Sequence, residues 1–311
     1  MSNTRFALLG LVMVALLWAA GRLVTNEYVF FVGYAVLQYI VLATAWNILG
    51  GYTGYVNFGT AAFFAIGAYV SVAVNKLYHP PLPLLIVIGG TASALVGLAM
   101  GYLTLKLRGV FFSISTLALA IVAQAVITNW SFVGGSSGAY VIRPRFGPFG
   151  GSYIEYLCYT MLIMAAGAVV LARGIERSKT GYGLAAIRDD EGAAEAYGVP
   201  TLRLKLLATV LSGGLMGMAG APLPFYVAYL DPPSAFNLSV AVNTIAMPLV
   251  GGTATWFGPV IGAVLLSTVQ QAAMVTISSA VNLLIVGLVM VGFITLAPNG
   301  IVGLLRRRRA G

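Results

Sequence analysis

Apolar residues run along this chain in stretches of about 20, with most Lys, Arg, Asp and Glu residues falling between them. A helix of that length, rising 1.5 Å per residue, crosses the roughly 30 Å hydrocarbon core of a bilayer. Such stretches occupy 6–24, 28–49, 55–74, 82–104 and 110–129, then 155–172, 206–229, 239–250, 258–276 and 280–297. The run 239–250 is short for an ordinary span. The pattern predicts an all-α integral membrane protein of about ten membrane segments, some short or broken at glycine-rich points, forming a single transmembrane domain over 1–311.

Composition agrees. The chain is 59% hydrophobic and 8% charged, with a mean hydropathy of +0.94. A soluble domain needs about a quarter of its residues charged to cover its surface, so a soluble fold is excluded.

Charge is concentrated. Eleven of the 25 Lys, Arg, Asp and Glu residues lie between Arg173 and Lys205, flanked by long apolar runs. At a bilayer centre each would cost about 3 kcal/mol on insertion scales, roughly 30 kcal/mol together. The island, about 173–205, is therefore expected in water, against a partner.

Positively charged loops near span ends stay cytoplasmic. With a cytoplasmic N-terminus, that side receives 13 Lys and Arg residues: Arg5, Lys106, Arg108, Arg173, Arg177, Lys179, Arg188, Arg203, Lys205 and Arg306 to Arg309. The opposite side receives four: Arg22, Lys76, Arg143 and Arg145. Both termini and the island are expected on the cytoplasmic side. A cleaved first segment, suggested by Arg5 ahead of an apolar run ending in Trp18-Ala19-Ala20-Gly21, would invert the bias, so an uncleaved first span is expected. Arg306 to Arg309 would rest on anionic lipid at about 1 kcal/mol each.

Reactive chemistry is sparse. Cys158 and His79 stand alone, which supplies neither an internal disulfide nor a metal site, and both are expected to be structural. The nearest string to a phosphate-binding loop, GIERSKT at 174–180, has Ser178 where a glycine should precede the lysine. No catalytic residue is expected, and no nucleic-acid partner. Glu27, Glu155 and Asp231 fall at predicted span ends, so the relay groups of a proton-driven carrier are lacking. A sodium-coupled carrier using backbone carbonyls and a passive channel both survive this test.

Glycine clusters instead, at Gly50-Gly51, Gly54, Gly59 and Gly67 and again at Gly251-Gly252, Gly258 and Gly262. GGYTGYVNFGTAAFFAIGAY at 50–69 is weakly similar to GGTATWFGPVIGAVLLS at 251–267, as a parallel repeat would be. Close small-residue packing of helices accounts for the same glycines, and both readings stay open.

Six blocks, taken in order, resemble the branched-chain amino acid ABC transporter permeases of the LivM type. They are GYTGYVNFGTAAFFAIGAYVS at 51–71, KLRGVFFSISTLALA at 106–120 and VGGSSGA at 133–139, followed by SKTGYGLAAIRDDEGAAEAYGVPTLRLKLLATVLSGGLMGMAGA at 178–221, PLVGGTATWFGPVIGA at 248–263 and APNGIVGLL at 297–305. The resemblance implies a permease subunit of an ATP-binding-cassette importer in the bacterial inner membrane, moving branched-chain or other small amino acids. Urea, short amides or aromatic carboxylates are the alternative cargo within that class. It further implies a second related permease chain in a heterodimer, two cytoplasmic ATPase subunits carrying ATP and Mg, and a periplasmic or lipid-anchored binding protein docking on outer loops that include 130–153. Three positions depart from the family pattern near the expected passage: Asn57, Thr60 and Ala254.

The island reads as two short helices. Tyr182 to Arg188 forms the first; Asp189 or Asp190 caps a second over 191–197, which stops at Gly198 with Pro200 beyond. Helices of about 10 Å are marginal alone and need packing. The resemblance makes them the element that an ATPase groove receives, with Gly181, Arg188, Asp189, Glu191, Ala193, Ala194 and Gly198 as coupling residues. Against the importer loop pattern of glutamate, two alanines and a later glycine, Gly192 stands at the glutamate position and Glu191 one residue early. Among polar residues in the spans, Asn57, Thr60 and Asn243 neighbour the glycine-rich breaks and are expected to line the substrate passage.

Overall fold

A computed structural model of the chain describes residues 3–21, 26–107, 109–148, 151–276, 287–288, 292 and 300–303. Among them the helices are α1 (Asn3–Gly21), α2 (Glu27–Thr53), α3 (Thr60–Tyr78), α4 (Leu82–Thr104), α5 (Val110–Thr128), α6 (Tyr153–Glu176), α7 (Lys179–Asp189) and α8 (Glu191–Ala196). They continue with α9 (Thr201–Gly220), α10 (Leu223–Val227), α11 (Pro232–Ala235), α12 (Leu238–Gly251) and α13 (Gly258–Thr276). A two-residue antiparallel ribbon, β1 (Ala139–Tyr140) with β2 (Tyr229–Leu230), pairs Tyr140 with Tyr229.

Seven helical stretches among the described residues are long and apolar enough to cross a membrane, with α11 and α12 counted as one, and α9 and α10 as another. Nine of the ten apolar runs overlap helices, while the tenth, 280–297, falls almost wholly outside the described residues and Arg306 to Arg309 wholly so.

Two runs differ from expectation. The run at 55–74 does not begin as helix: α2 stops at Thr53, residues 54–59 are unwound, and α3 starts only at Thr60. Gly54 takes φ +77°, a left-handed conformation open to glycine at no steric cost. The run at 206–229 is not continuous, because Pro222 has no N–H to carry the ladder forward and the helix restarts as α10.

The described chain divides into two compact units, residues 1–44, 144–178 and 245–311 in one, 45–143 and 179–244 in the other. In the second unit α3, α4 and α9 pack through small residues. A Cβ at Gly67 would collide with the Gly217 backbone, and one at Gly220 with the Phe64 carbonyl. Ser93 Oγ donates to the Phe63 carbonyl at 2.6 Å, and buried Phe63 fills the space beside Gly213. In the first unit the same device joins α12 to α13, where Gly262 abuts the Met247 carbonyl. Close helix packing is thus what many of the clustered glycines do. The two glycine blocks also share a local form: residues 252–257 between α12 and α13 form a six-residue break like 54–59, opened by Gly252 at φ +118°.

The two isolated reactive residues have structural places. His79 ends α3 in the left-handed region and donates its N–H to the Asn75 carbonyl. Cys158 lies in α6, close enough to Gly33 that a Cβ there would sit 3.1 Å from its sulfur.

Candidate coupling site

α7 buries Gly181, Leu184 and Ile187, spaced three apart on one face, and exposes Tyr182 and Arg188. It is longer than the predicted Tyr182 to Arg188. Of the two predicted caps, Asp190 performs the role: it is extended, and its Oδ1 accepts the Ala193 N–H at 3.0 Å. Asp189 instead faces Arg188, Nε to Oδ1 3.4 Å, in an exposed contact.

α8 ends as predicted at Gly198, which takes φ +81°. The Val199 N–H donates to the Ala194 carbonyl at 3.0 Å and the Gly198 N–H to Glu195 at 2.9 Å, the paired bonds of a Schellman cap. Ala194 is buried, whereas Ala193 and Gly192 are exposed. Tyr197, at the end of α8, is 90% exposed.

Glu191 is not a solvated charge. Its Oε1 lies 2.6 Å from Lys205 Nζ, with the two side chains 12% and 3% exposed. Lys205 also donates to the Leu105 carbonyl at 3.0 Å and to the Tyr55 hydroxyl at 3.2 Å, which uses all three ammonium protons. The Tyr55 hydroxyl in turn donates to the other oxygen of Glu191. One knot therefore ties α8, α9, the turn after α4 and the unwound segment after α2. Removing one partner of such a buried pair typically costs about 3–5 kcal/mol, because the other charge is left uncompensated.

The unwound segment is held along its length. Trp46 Nε1 donates to the Asn57 carbonyl at 2.8 Å, Ser113 Oγ to the Val56 carbonyl at 2.9 Å, and the Phe58 N–H reaches Thr116 Oγ1 at 3.0 Å. Asn57 Oδ1 accepts the Gly59 N–H at 2.7 Å. Asn57 and Thr60 are both fully buried, and among the described residues neither Asn57 Nδ2 nor Thr60 Oγ1 has a hydrogen-bond partner. Asn243 lies buried in α12. A cavity of about 430 Å3 opens beside the segment, lined by Gly54, Val56, Val110, Ser113, Ile187 and Arg188.

The ends of the island depart from the expectation of water. Lys205 is buried in the knot, and Arg173 is 4% exposed within α6. The Arg173 guanidinium sits 3.8 Å from the centre of the Phe6 ring and 5.4 Å from that of Trp256. Glu176 Oε2 accepts the backbone N–H of Trp256 at 2.6 Å. Aromatic faces and ion pairing replace water at these two cations, a route that a per-residue insertion cost does not count. Sequence reading missed Lys205 and Tyr55 as site residues. The available signal was a lysine one turn inside an apolar helix, where an unpaired charge is costly.

The chain is similar in sequence to known proteins. A family profile described as "Branched-chain amino acid transport system / permease component" matches residues 28–294. The high-affinity branched-chain amino acid transport system permease protein LivM of Salmonella typhimurium is 26% identical over 293 residues, covering 86% of this chain and 68% of its own. LivM of Escherichia coli matches to the same extent. The L-arabinose ABC transporter permease protein AraH of Azospirillum brasilense is 26% identical over 225 residues, with 70% of this chain and 64% of its own covered. With α3 to α13, the unwound glycine segment and the charged island all inside the matched span, this chain belongs to the branched-chain amino acid transport system permease component family.

Proposed function

We propose that the chain is the membrane subunit of an ATP-driven importer in a bacterial inner membrane, and that α7 and α8 are the segment its ATPase partners grip. The observation that carries this reading is the form of residues 179–198: two short helices, the second capped by Asp190, that turn Leu184, Ile187 and Ala194 inward while Tyr182 and Tyr197 stand 72% and 90% exposed. Helices this short hold a fixed shape only when packed, and exposed aromatics concentrate at protein interfaces. ATP and Mg belong to those partners.

The orientation follows from charge, with the island and both termini cytoplasmic. A second related permease chain completes the membrane part, and a periplasmic or lipid-anchored binding protein delivers cargo to the outer loops. Branched-chain or other small amino acids are the proposed cargo, since the LivM relatives carry that description. The AraH relative, described as an L-arabinose permease, supports a second reading in which cargo is set by the binding protein and ranges wider, to urea, short amides or aromatic carboxylates. An uncharged passage near Asn57, Thr60 and Asn243 suits either.

Uptake into proteoliposomes containing the assembled complex tests this reading, with labelled leucine, urea and arabinose offered in parallel. Uptake should require ATP on the island's side and a loaded binding protein. Uptake driven by a sodium gradient alone, or conductance by this chain without partners, would replace the importer reading with a carrier or a channel.

A further inference from the structure

We propose that Lys205 is a positioning residue that makes α8 and the unwound segment 54–59 move as one body, so that displacement of the coupling helices reaches the passage at Asn57. The inference rests on the importer reading above and adds to it the route by which force travels.

The route is a chain of bonds inside one compact unit. Glu191 opens α8 and binds Lys205 through Oε1 and the Tyr55 hydroxyl through Oε2. Lys205 closes the triangle by donating to that hydroxyl at 3.2 Å, and its bond to the Leu105 carbonyl at 3.0 Å fixes the corner against the turn after α4. Tyr55 is further held by edge-on packing against Phe112, ring centres 5.1 Å apart, and by the Lys205 ammonium 4.7 Å from its ring centre. Two residues beyond Tyr55 stands Asn57, whose carbonyl and Oδ1 are both engaged while its amide nitrogen, fully buried, has no hydrogen-bond partner among the described residues.

Burial makes the knot stiff. If α8 moved alone, Lys205 would be left as an uncompensated ammonium at 3% exposure, so joint movement is the lower-energy course. An apolar side chain at 205 would keep the apolar contacts of α9 but drop Glu191, Tyr55 and the Leu105 carbonyl together. Two further polar contacts of α8 are local: the Ala193 N–H donates to Asp190, and the Thr201 hydroxyl to Glu195. The Glu191–Tyr55 bond spans 136 positions and joins α8 directly to the glycine-rich break.

The test measures ATP hydrolysis and uptake separately in proteoliposomes of the full complex, using whichever of leucine, urea and arabinose the wild type takes up. Lys205→Met should retain hydrolysis while uptake per ATP falls about tenfold, the size of an ordinary coupling energy. Lys205→Arg should restore most of the loss, and Tyr55→Phe, which leaves the ion pair intact, should give an intermediate ratio. An unchanged ratio in Lys205→Met, with uptake and hydrolysis falling together, would overturn the proposal, as would failure of arginine to rescue. Should Lys205→Met not assemble, an unchanged ratio in Tyr55→Phe overturns it. A wild-type complex lacking ATP-dependent uptake refutes the importer reading as well, which separates the two failures.

Discussion

Lys205 and Glu191 are 14 positions apart and meet at 2.6 Å in the protein interior, with the Tyr55 hydroxyl bridging them. A charge that an insertion scale assigns to water is here retained inside the fold by a partner, two neutral acceptors and an aromatic face. That arrangement places a structural join where the charged island meets the membrane helix α9.

The glycines that allow close helix approach should be intolerant in proportion to what a Cβ would meet. Gly67→Ala and Gly262→Ala each push a methyl group into a neighbouring backbone, which cannot yield as a side chain can. A loss of about 1–3 kcal/mol is expected, read as a lowered melting temperature in detergent. Gly167→Ala, with open space around it, should be neutral or stabilise by up to about 1 kcal/mol. Equal melting shifts in all three would contradict the packing role.

Thr60 separates a structural from a transport role cleanly. Its buried hydroxyl has no hydrogen-bond partner among the described residues, so Thr60→Val removes no bond and should leave the melting temperature unchanged or raised. If the hydroxyl faces cargo, the uptake rate should still fall severalfold. Asn57→Ala should lower uptake further, by about tenfold, and cost about 1 kcal/mol because the bond from the Gly59 N–H to Asn57 Oδ1 is lost. Unchanged uptake in Asn57→Ala, Thr60→Val and Asn243→Ala together would remove all three from the passage.

Tyr197 carries almost no packing of its own, at 90% exposure. Tyr197→Asp should therefore leave the isolated chain as stable as the wild type, within about 0.5 kcal/mol. Its affinity for the ATPase subunits should drop by about tenfold or more, as expected for an aromatic anchor at an interface. Affinity measured by pull-down titration and found unaltered would move the partner surface elsewhere.

Reporters fused to the two ends should give the same, cytoplasmic, side. The balance of 13 Lys and Arg residues against four requires an even number of crossings. Reporters on opposite sides would undo that balance and place the island's orientation in question.

Local rules made most helices and the island legible from sequence. Apolar runs of span length become helices because lipid leaves the backbone no other partner, and α8 starts at Asp190 and ends at Gly198 because capping depends on adjacent residues alone. What sequence reading lost was long-range or backbone-specific. Tyr55 meets Glu191 across 136 positions, and no pattern of spacing announces that contact. Arg173 was placed in water because its Phe6 and Trp256 neighbours come from distant segments. The interruption at Pro222 was readable from the missing N–H, but hydropathy is blind to it. Gly192 itself is exposed, and the carboxylate one position earlier, on Glu191, is engaged inward.

If residues 179–198 transmit ATPase motion to the membrane helices, as proposed above, the ratio of cargo taken up to ATP hydrolysed must fall when their shape or charge is altered. Gly198→Pro forces φ to about −65° where +81° is needed and deletes the N–H that caps α8. Arg188→Glu reverses a charge at the exposed end of α7. Both variants should insert and assemble, continue to hydrolyse ATP, and lose at least about tenfold in uptake per ATP. Wild-type ratios in both variants would contradict the claim.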